Sequence, residues 1–341
     1  SELPQSKRDI IRKHTDVTPV KVDYLWDPYI PKGKFTLLEG DPGAGKSWVT
    51  AAIATALTLG RGLPLAHGND LGPVLMLSAE DGLSDTIRPR LDSLHADQTM
   101  IFAVGDAHLT LDDEGMAILK SYIKQVKPIL IVIDPLAAYF PANLNPNLSN
   151  NVRQFTTSLS KMAEHFDTAI LGVRHLTKSD KSRAIYRGSG AIDWTAAARS
   201  VIMAGLDPQD DSKRALVHVK SNLKSFGPSI GYQLEPSTGF SWLGTTNLTA
   251  EQMLAPVDSE EKSALAEAKE FLLETLREGP ILSRHVEEAA KAYDITMATL
   301  RRAKRELKVE SKGQGKPGSK GIKEWYFMLP EQPKGGLDDH V

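Results

Sequence analysis

The stretch "LLEGDPGAGKSWVT", from Leu37 to Thr50, decides the fold of this chain. Gly40 is followed by four residues and then by Gly45-Lys46-Ser47, which matches the pattern G-x-x-x-x-G-K-[ST] in full. The apolar residues before it are typical of a short buried strand, and those after it recur at helical spacing. In a strand–loop–helix of this kind, the glycines let backbone N–H groups curl around phosphate oxygens. The alternative is a purely structural glycine turn.

This loop predicts a nucleotide site that uses ATP and Mg²⁺. Lys46 would reach the β- and γ-phosphates, and the hydroxyl of Ser47 would hold the metal ion. The start of the following helix adds a favourable dipole and free N–H donors. We expect nucleotide contacts from the whole loop and from the residue after it: Gly40, Asp41, Pro42, Gly43, Ala44, Gly45, Lys46, Ser47 and Trp48.

A second magnesium ligand is predicted in "KPILIVIDPLAAYF", residues 127–140. The unbroken apolar run from Ile129 to Ile133 is typical of a strand that is buried on both faces. Asp134 ends this strand, at the edge where ligands collect in open α/β sheets. The alternative is an aspartate that caps a helix or forms a turn before Pro135.

Two further predicted strands end in residues suited to catalysis. "GPVLMLSAED", residues 72–81, ends in Glu80 and Asp81, and a carboxylate there could polarise the attacking water. Either carboxylate could equally cap the helix that begins near Leu83. "DTAILGVRH", residues 167–175, ends in His175, which could sense the γ-phosphate or serve only structural hydrogen bonds.

The pattern of the whole chain predicts an α/β fold of two domains. Residues 31–245 alternate strands with amphipathic helices, which favours a mostly parallel sheet with helices on both faces. Apolar stretches beyond Arg199, separated by turn signals, are expected to extend this sheet with antiparallel strands. Residues 1–30 are interpreted as an N-terminal arm. Two long loops, 140–151 and the basic 177–190, follow strand ends and lie at the predicted active edge, where long loops are commonly functional.

A small domain is predicted after a linker at residues 246–262. Residues 263–330 contain one helix that ends at Gly279-Pro280, then two short helices at helix-turn-helix spacing, with Thr296 as a plausible N-cap of the second. A strand, a glycine- and lysine-rich loop and a further strand follow, and together these elements suggest a winged helix. Residues 331–341 are interpreted as a flexible tail.

Basic charge is concentrated in this small domain. Between Ile295 and Trp325 there are nine basic and three acidic residues, a local charge of +6. Because this charge falls on the predicted recognition helix and wing, we favour contact with nucleic acid. The alternative is a solvated helix face or a protein-docking module. The candidate DNA-binding residues on the helix are Arg301, Arg302, Lys304 and Arg305.

The overall composition excludes several classes of protein. The formal net charge of the 341 residues is −2, so binding of nucleic acid would need local patches. The absence of cysteine excludes disulfides and thiolate metal sites, and it fits a reducing cytoplasm. We find neither a run of about 18 apolar residues nor an apolar signal core at the N-terminus, so we expect a cytoplasmic protein without a membrane span.

Five stretches together resemble the RecA/DnaB-type hexameric helicase ATPases, most closely the RepA-like replicative branch of plasmids and phages. They are "GDPGAGKS", "LSAED", "IDPLAAYF", "RHLTKSDKSRAIYRGSGAIDWTAAARS" and "VHVKSNL". The resemblance covers about residues 20–235 and is much more specific than the phosphate loop alone. The basic, winged-helix-like C-terminal region is similar to that of prophage members of this branch. One departure from the family pattern is expected: about 30 residues precede the core in this sequence, and we expect no primase- or loader-binding domain among them.

The resemblance implies a role for each matching residue. Glu80 would activate water, Asp134 would be the Walker B magnesium ligand, and His175 would be linked to the γ-phosphate. An arginine finger for the neighbouring subunit's nucleotide would come from Arg187 or Arg199, assisted by Lys220. The two long loops would face a central pore and touch single-stranded DNA, in the basic loop through Lys178, Lys181 and Arg183.

These expectations favour an ATP- and Mg²⁺-dependent, ring-forming DNA helicase or translocase that replicates a plasmid, phage or other mobile element. Its partners would be single-stranded or forked DNA, further copies of itself in a hexameric ring, and a primase or replication initiator. The main alternative is a DNA-binding ATPase that does not translocate and acts as a regulatory switch or a replication matchmaker. A third class, a small-molecule kinase, would need an acceptor-binding lid, and the sequence contains no recognisable one.

Overall fold

The structure is a computed structural model that describes residues 13–66, 70–104, 109–176, 189–208, 210, 212–235, 239–254, 259–277, 279–315 and 323–330. The chain divides into two compact units. The first comprises residues 1–205 and 214–250, and the second comprises residues 206–213 and 251–341.

The first unit is an alternation of strands and helices. Its strands are β1 Tyr24–Trp26, β2 Ile30–Pro31, β3 Phe35–Gly40, β4 Val74–Ser78, β5 Ile101–Ala103, β6 Leu130–Asp134, β7 Ala169–His175, β8 Ser200–Leu206, β9 Lys213–Ser221, β10 Ser229–Glu235 and β11 Gly239–Thr246. Its helices are α1 Lys46–Thr58, α2 Arg88–Ser93, α3 Asp113–Val126, α4 Ser149–Phe166 and α5 Ser189–Ala197. A short helix, α6 Ala250–Leu254, begins at the last residue of this unit and otherwise belongs to the second unit.

A nine-stranded sheet organises this unit, in the order β11-β10-β9-β8-β3-β7-β6-β4-β5. The six strands from β8 to β5 pair in parallel, and β10 and β11 pair antiparallel. The predicted α/β fold, a mostly parallel sheet extended by antiparallel strands, is therefore confirmed. Because parallel strands all end at the same edge, Gly40, Ser78, Asp134 and His175 share the carboxyl edge of the sheet.

Both faces of the sheet are buried, as the unbroken apolar strands predict. On one face, Leu37 and Ile133 join a core with the inward sides of α3 and α4, including Leu119 and Phe155. The alternate residues of the same strands, such as Leu38, are equally buried and point to the other face. There α1 packs against β3, β4 and β6 with almost its whole surface covered.

The antiparallel pair β1–β2 precedes the first strand of the large sheet. Trp26, Tyr29 and Ile30 are fully buried, and the ring of Trp26 lies 4.6 Å from that of Tyr29 and 5.7 Å from that of Trp242 on β11. Residues 24–31 therefore pack as part of the first unit, although most of them fall in the segment interpreted as an arm.

The second unit is small and has its own core. It contains α7 Ser259–Thr275, β12 Ile281–Leu282, α8 Ser283–Ala292, α9 Met297–Glu306, β13 Glu310–Gly315 and β14 Lys323–Met328. The strands form a sheet in the order β12-β14-β13, with both pairs antiparallel. Leu272, Val286, Leu300 and Phe327 are among the buried residues that join its helices and sheet. Thr296 caps α9, because its hydroxyl accepts a hydrogen bond from the Thr299 N–H at 3.2 Å.

Within the described part of the chain, none of the helices has the length and apolar character needed to cross a bilayer.

Candidate nucleotide site

The loop between β3 and α1 has a backbone that only glycine adopts without strain at two positions. Gly43 has φ +80° and Gly45 has φ +83°, in the left-handed region. Gly40 is required for a different reason, since a Cβ there would lie 2.1 Å from the carbonyl oxygen of Ala204 on β8. The motif glycines therefore place the loop tightly against the sheet and turn it into the N-terminus of α1.

Lys46 is the first residue of α1 and is 4% exposed. Its ammonium folds back over the loop and donates to the carbonyl oxygens of Gly40 at 2.8 Å and Asp41 at 2.9 Å. Burial lowers the pKa of Lys46, and the nearby carboxylates of Asp134, Asp41 and Glu80 oppose that shift. The lysine is thus held over the loop in the midst of acidic groups, where phosphate oxygens could replace the two carbonyls.

Asp134 ends β6 directly beside Ser78 on β4 and faces the start of α1. The Ser47 hydroxyl donates a hydrogen bond to its carboxylate. Burial raises the pKa of Asp134, and Asp81 raises it further, while the Ser47 hydrogen bond and the charge of Lys46 act in the opposite direction. A carboxylate and a hydroxyl that meet in this way supply the oxygen ligands that Mg²⁺ prefers, so these residues fit the predicted metal site.

His175 and Glu80, which the sequence placed on separate strands, meet at the carboxyl edge. Nε2 of His175 lies 3.4 Å from Oε2 of Glu80. His175 is the register partner of Gly40, and the next residue, Leu176, donates its N–H to the Gly40 carbonyl at 3.1 Å. The Nδ1 atom of His175 is buried and has no hydrogen-bond partner among the described residues. The pair therefore lies where it can respond to a group bound at the phosphate loop.

A cleft that the sequence does not predict lies beside these residues. Ser47, Asp81, Arg90 and Asp134 line it together with apolar residues of α1 and β4. Arg90 forms an ion pair with Asp81, and its guanidinium lies 5.6 Å from the ring centroid of Trp48. Asp81 is therefore engaged by Arg90, whereas Glu80 points to His175. An arginine nine residues after a strand-end carboxylate gives no sequence signal, because a π-helical turn at Leu83–Ile87 brings the two together.

Two predicted catalytic residues lie at the opposite edge of the sheet. The Arg199 N–H donates to the carbonyl of Phe35 at the beginning of β3, five residues before Gly40, and Ser200 pairs with Thr36. Lys220 lies near Arg199, and its ammonium donates to the carbonyls of Thr195, Ala196 and Ala198 at 2.7–2.8 Å. Lys220 thereby caps the C-terminus of α5, and burial, followed by the charge of Arg199, lowers its pKa.

Of the residues predicted in the basic loop, Lys178, Lys181, Arg183 and Arg187 lie outside the described residues. The helices that follow the two candidate DNA loops are joined. Asp193 on α5 is 3% exposed, accepts a hydrogen bond from Ser149 at the start of α4, and pairs with Arg153 at 3.0 Å. The rings of Phe140, Phe155 and Trp194 pack against one another nearby, in edge-to-face or tilted contacts.

The predicted DNA-binding residues of the second unit differ in their surroundings. Arg301 and Arg305 are exposed on α9. Arg302 is partly buried and lies 3.7 Å from Glu306. Lys304 lies 3.5 Å from the ring centroid of Phe327 and donates to Ser311 at 2.7 Å, so it packs α9 against the sheet. Burial lowers the pKa of Lys304. The exposed face of α9 is thus centred on Arg301 and Arg305.

Comparison with known proteins gives a match to a protein family described as an AAA domain, over residues 4–181. This range contains the phosphate loop, Glu80, Asp134 and His175. Curated relatives include the DNA repair protein RadA of Bacillus subtilis, 25% identical over 44% of this chain and 29% of its own length, and RadA of Helicobacter pylori (strain ATCC 700392 / 26695), 23% identical over 67% of this chain and 47% of its own length. The chain therefore spans less than half the length of these relatives.

Among solved structures, the ATPase domain of G40P is similar with a TM-score of 0.49 and 14% identity, over 63% of this chain and 86% of that domain. The family match to the phosphate-loop region confirms the prediction of a P-loop ATPase.

Proposed function

We propose that this chain, which belongs to the AAA domain family, is an ATP-dependent, ring-forming DNA helicase or translocase. One observation carries the proposal. His175 contacts Glu80 and lies beside Gly40 of the phosphate loop, and only Leu176 separates it from the basic stretch 177–190. A movement of His175 caused by binding or loss of the γ-phosphate would therefore be transmitted through a single residue, Leu176, to the predicted DNA loop.

Each residue of the site has a separate role in ATP hydrolysis. Lys46 leaves the carbonyls of Gly40 and Asp41 to bind the β- and γ-phosphates, and the N–H groups of the loop bind the remaining oxygens. Glu80 orients and deprotonates the attacking water, with His175 fixing its carboxylate. Ser47 and Asp134 would hold Mg²⁺, which neutralises charge on the phosphates when it is bound.

The loops would couple this chemistry to DNA. Asp193 joins α4, which follows the loop at 140–151, to α5, which follows the basic loop. A displacement that begins at His175 and moves α5 would therefore also move α4, and through these helices it would affect both loops. Ordering a loop with the γ-phosphate and releasing it on hydrolysis is an established form of nucleotide switch. Arg187 or Arg199 would complete each site from the neighbouring subunit of a hexameric ring.

The second unit would bind duplex or forked DNA. Its order of helix, strand, two helices and two strands is that expected of a winged helix, and Arg301 and Arg305 are exposed on the helix in the recognition position. We further propose, from the resemblance of the sequence, a role in replicating a plasmid, phage or other mobile element, with a primase or initiator as partner. RadA is described as a DNA repair protein, and a role in DNA repair would use the same ATPase chemistry.

The decisive experiment is strand displacement of a forked duplex with ATP and Mg²⁺. We expect unwinding by the parent protein and none by Lys46→Ala or Glu80→Gln. Lys34→Ala is the matched control, because Lys34 forms a surface ion pair with Glu164 away from the phosphate loop. DNA binding that depends on the nucleotide, without any unwinding by the parent, would instead identify the alternative function, a DNA-binding switch or matchmaker.

A further inference from the structure

The strand β10 reaches the phosphate loop with a tyrosine. The hydroxyl of Tyr232 donates a hydrogen bond of 2.6 Å to the carbonyl oxygen of Ala44, 188 residues earlier in the chain. Both residues are fully buried. Ala44 immediately precedes the Gly45-Lys46-Ser47 of the motif. We propose that Tyr232 is a positioning residue that sets the phosphate-binding geometry of this loop. The inference rests on the nucleotide site of the proposed function.

The planarity of the peptide bond converts this hydrogen bond into a constraint on phosphate binding. In a trans peptide, the C=O of one residue and the N–H of the next point in opposite directions. Since Tyr232 holds the Ala44 carbonyl on the side of β10, the Gly45 N–H must point away from β10. The N–H groups of such loops are the donors that cradle phosphate oxygens. Tyr232 thus fixes the direction of one of these donors, the Gly45 N–H, through a hydrogen bond to the carbonyl of the same peptide.

A second contact supports the same turn. A Cβ on Gly45 would lie 2.5 Å from Cδ1 of Leu234, two residues after Tyr232 on the same strand. Gly45 has φ +83°. The side chains of β10 therefore back the loop at the point where it turns into α1, and they leave no room for the loop to relax toward the strand.

The tyrosine itself is held rigidly. Its ring stacks on Phe240 at 5.6 Å between centroids and meets Trp242 edge to face at 6.2 Å. These rings belong to β11, which pairs with β10. Burial raises the pKa of Tyr232 well above its ordinary value, so the hydroxyl remains a donor. A fixed ring with a protonated hydroxyl is what a positioning role requires.

When nucleotide binds, the loop would lose two hydrogen bonds from Lys46 and keep the one from Tyr232. In the structure, Lys46 also binds loop carbonyls, those of Gly40 and Asp41. Binding of the β- and γ-phosphates would draw Lys46 away from them. Phosphates bound by the Gly45 N–H would lie on the opposite side of the Ala44–Gly45 peptide from the Tyr232 hydroxyl, so this bond would persist while Lys46 moves.

The test is the affinity of the full chain for ADP, which contains phosphates that the loop cradles and does not require a neighbouring subunit's arginine. Tyr232→Phe removes only the hydroxyl. The Ala44–Gly45 peptide can then turn its N–H away from the phosphate-binding direction, and only the correctly oriented fraction of loops binds ADP. ADP binding should therefore weaken by about tenfold, a shift in population equivalent to one buried hydrogen bond. Leu234→Ala, which keeps the hydroxyl, should weaken it less, and it serves as the second variant if Tyr232→Phe does not fold.

Tyr29→Phe is the matched control. Tyr29 is also fully buried in the aromatic cluster, and its hydroxyl donates to the carbonyl of Pro228 rather than to the phosphate loop. We expect a similar fall in melting temperature for the two tyrosine variants, and ADP affinity within about twofold of the parent for Tyr29→Phe, because its lost bond does not touch the loop. Equal weakening of ADP binding by both variants would overturn the inference, because it would indicate general loosening.

Lys46→Ala separates this inference from the proposed nucleotide site. If Lys46→Ala abolishes ADP binding while Tyr232→Phe binds ADP as tightly as Tyr29→Phe does, the positioning role is refuted and the nucleotide site stands. If Lys46→Ala binds ADP normally, the nucleotide site itself is refuted, and the inference fails with it.

Discussion

Nε2 of His175 lies 3.4 Å from Oε2 of Glu80, across the carboxyl edge of the sheet from β7 to the end of β4. The two residues are far apart in the sequence, and the parallel pairing of β4, β6 and β7 brings them together. Glu80 is therefore held toward the site, which distinguishes it from Asp81, whose carboxylate pairs with Arg90.

Replacing Glu80 with glutamine should separate binding from turnover. Glu80→Gln keeps the shape of the side chain and removes the base, so we expect ATP affinity near that of the parent and a fall in kcat of about 10²-fold or more. Steady-state ATPase assays and direct measurements of ATP binding check this.

Glu164→Gln is the matched control for Glu80→Gln. Glu164 is an exposed glutamate near the end of α4, and its carboxylate pairs with Lys34, which precedes β3 at the edge of the sheet opposite the site. We expect the parent's turnover from this variant. ATPase near the parent rate for Glu80→Gln would mean that Glu80 only caps a helix.

An arginine finger supplied by a neighbouring subunit predicts complementation between inactive variants. Arg199→Ala or Arg187→Ala should leave ATP binding intact and lower turnover by about 10³-fold or more. Mixing the finger variant with Lys46→Ala should restore part of the activity, because some boundaries then combine an intact loop with an intact arginine. ATPase activity of mixed oligomers, with mixing verified by native mass spectrometry, is the measurement. Mixed oligomers that form but show no recovery would exclude a finger in trans.

The exposed arginines of α9 should determine how strongly salt weakens duplex binding. Arg301→Glu with Arg305→Glu should lower the affinity and flatten the dependence on salt, whose slope is about −0.9 per phosphate neutralised. Salt titrations of duplex binding check this, together with ATPase assays, which should not change. Arg284→Glu, on the exposed side of α8, is the control for charge in the same unit. Unchanged affinity and slope in the double variant would favour a protein-docking role.

Acid should destabilise the first unit through His218. The side chain is 4% exposed, and burial lowers its pKa from 6.5 to about 4. The Gly227 N–H donates to Nδ1, so in the neutral ring Nε2 carries the proton and donates to Ser200. Between these two pKa values the unfolded chain binds a proton more readily than the folded chain. The free energy of unfolding should therefore decrease by about 3 kcal/mol as the pH falls through this window, and this stability should be fully retained above it.

Chemical denaturation of the parent and of His218→Gln across this pH range checks the prediction. Because the variant lacks the titrating ring, its free energy of unfolding should vary less with pH, and the two curves should approach each other as the pH falls. Parallel curves for the two proteins would show that His218 is not the group responsible.

Local pattern was sufficient to predict the sheet and the strand, loop and helix around Gly40–Ser47. Unbroken apolar strands are typical of a parallel sheet. Parallel strands end at the same edge, so Glu80, Asp134 and His175, which lie at strand ends, are expected to come together there. The contacts of Tyr232 and Arg90 could not be predicted, because they depend on which distant elements pack together. The packing of Lys304 on Phe327 was missed for the same reason, since a basic residue on an amphipathic helix gives no sign of which neighbour it covers.

Arg199 and the phosphate loop lie at opposite edges of one sheet. A contact between unlike surfaces gives a heterologous interface, which joins subunits head to tail. If Arg199 is the finger, an open row of subunits has one terminal nucleotide site without an arginine, whatever its length. ATPase activity per subunit would then rise as the row grows, and it would reach its full value only when the two ends meet and the row closes.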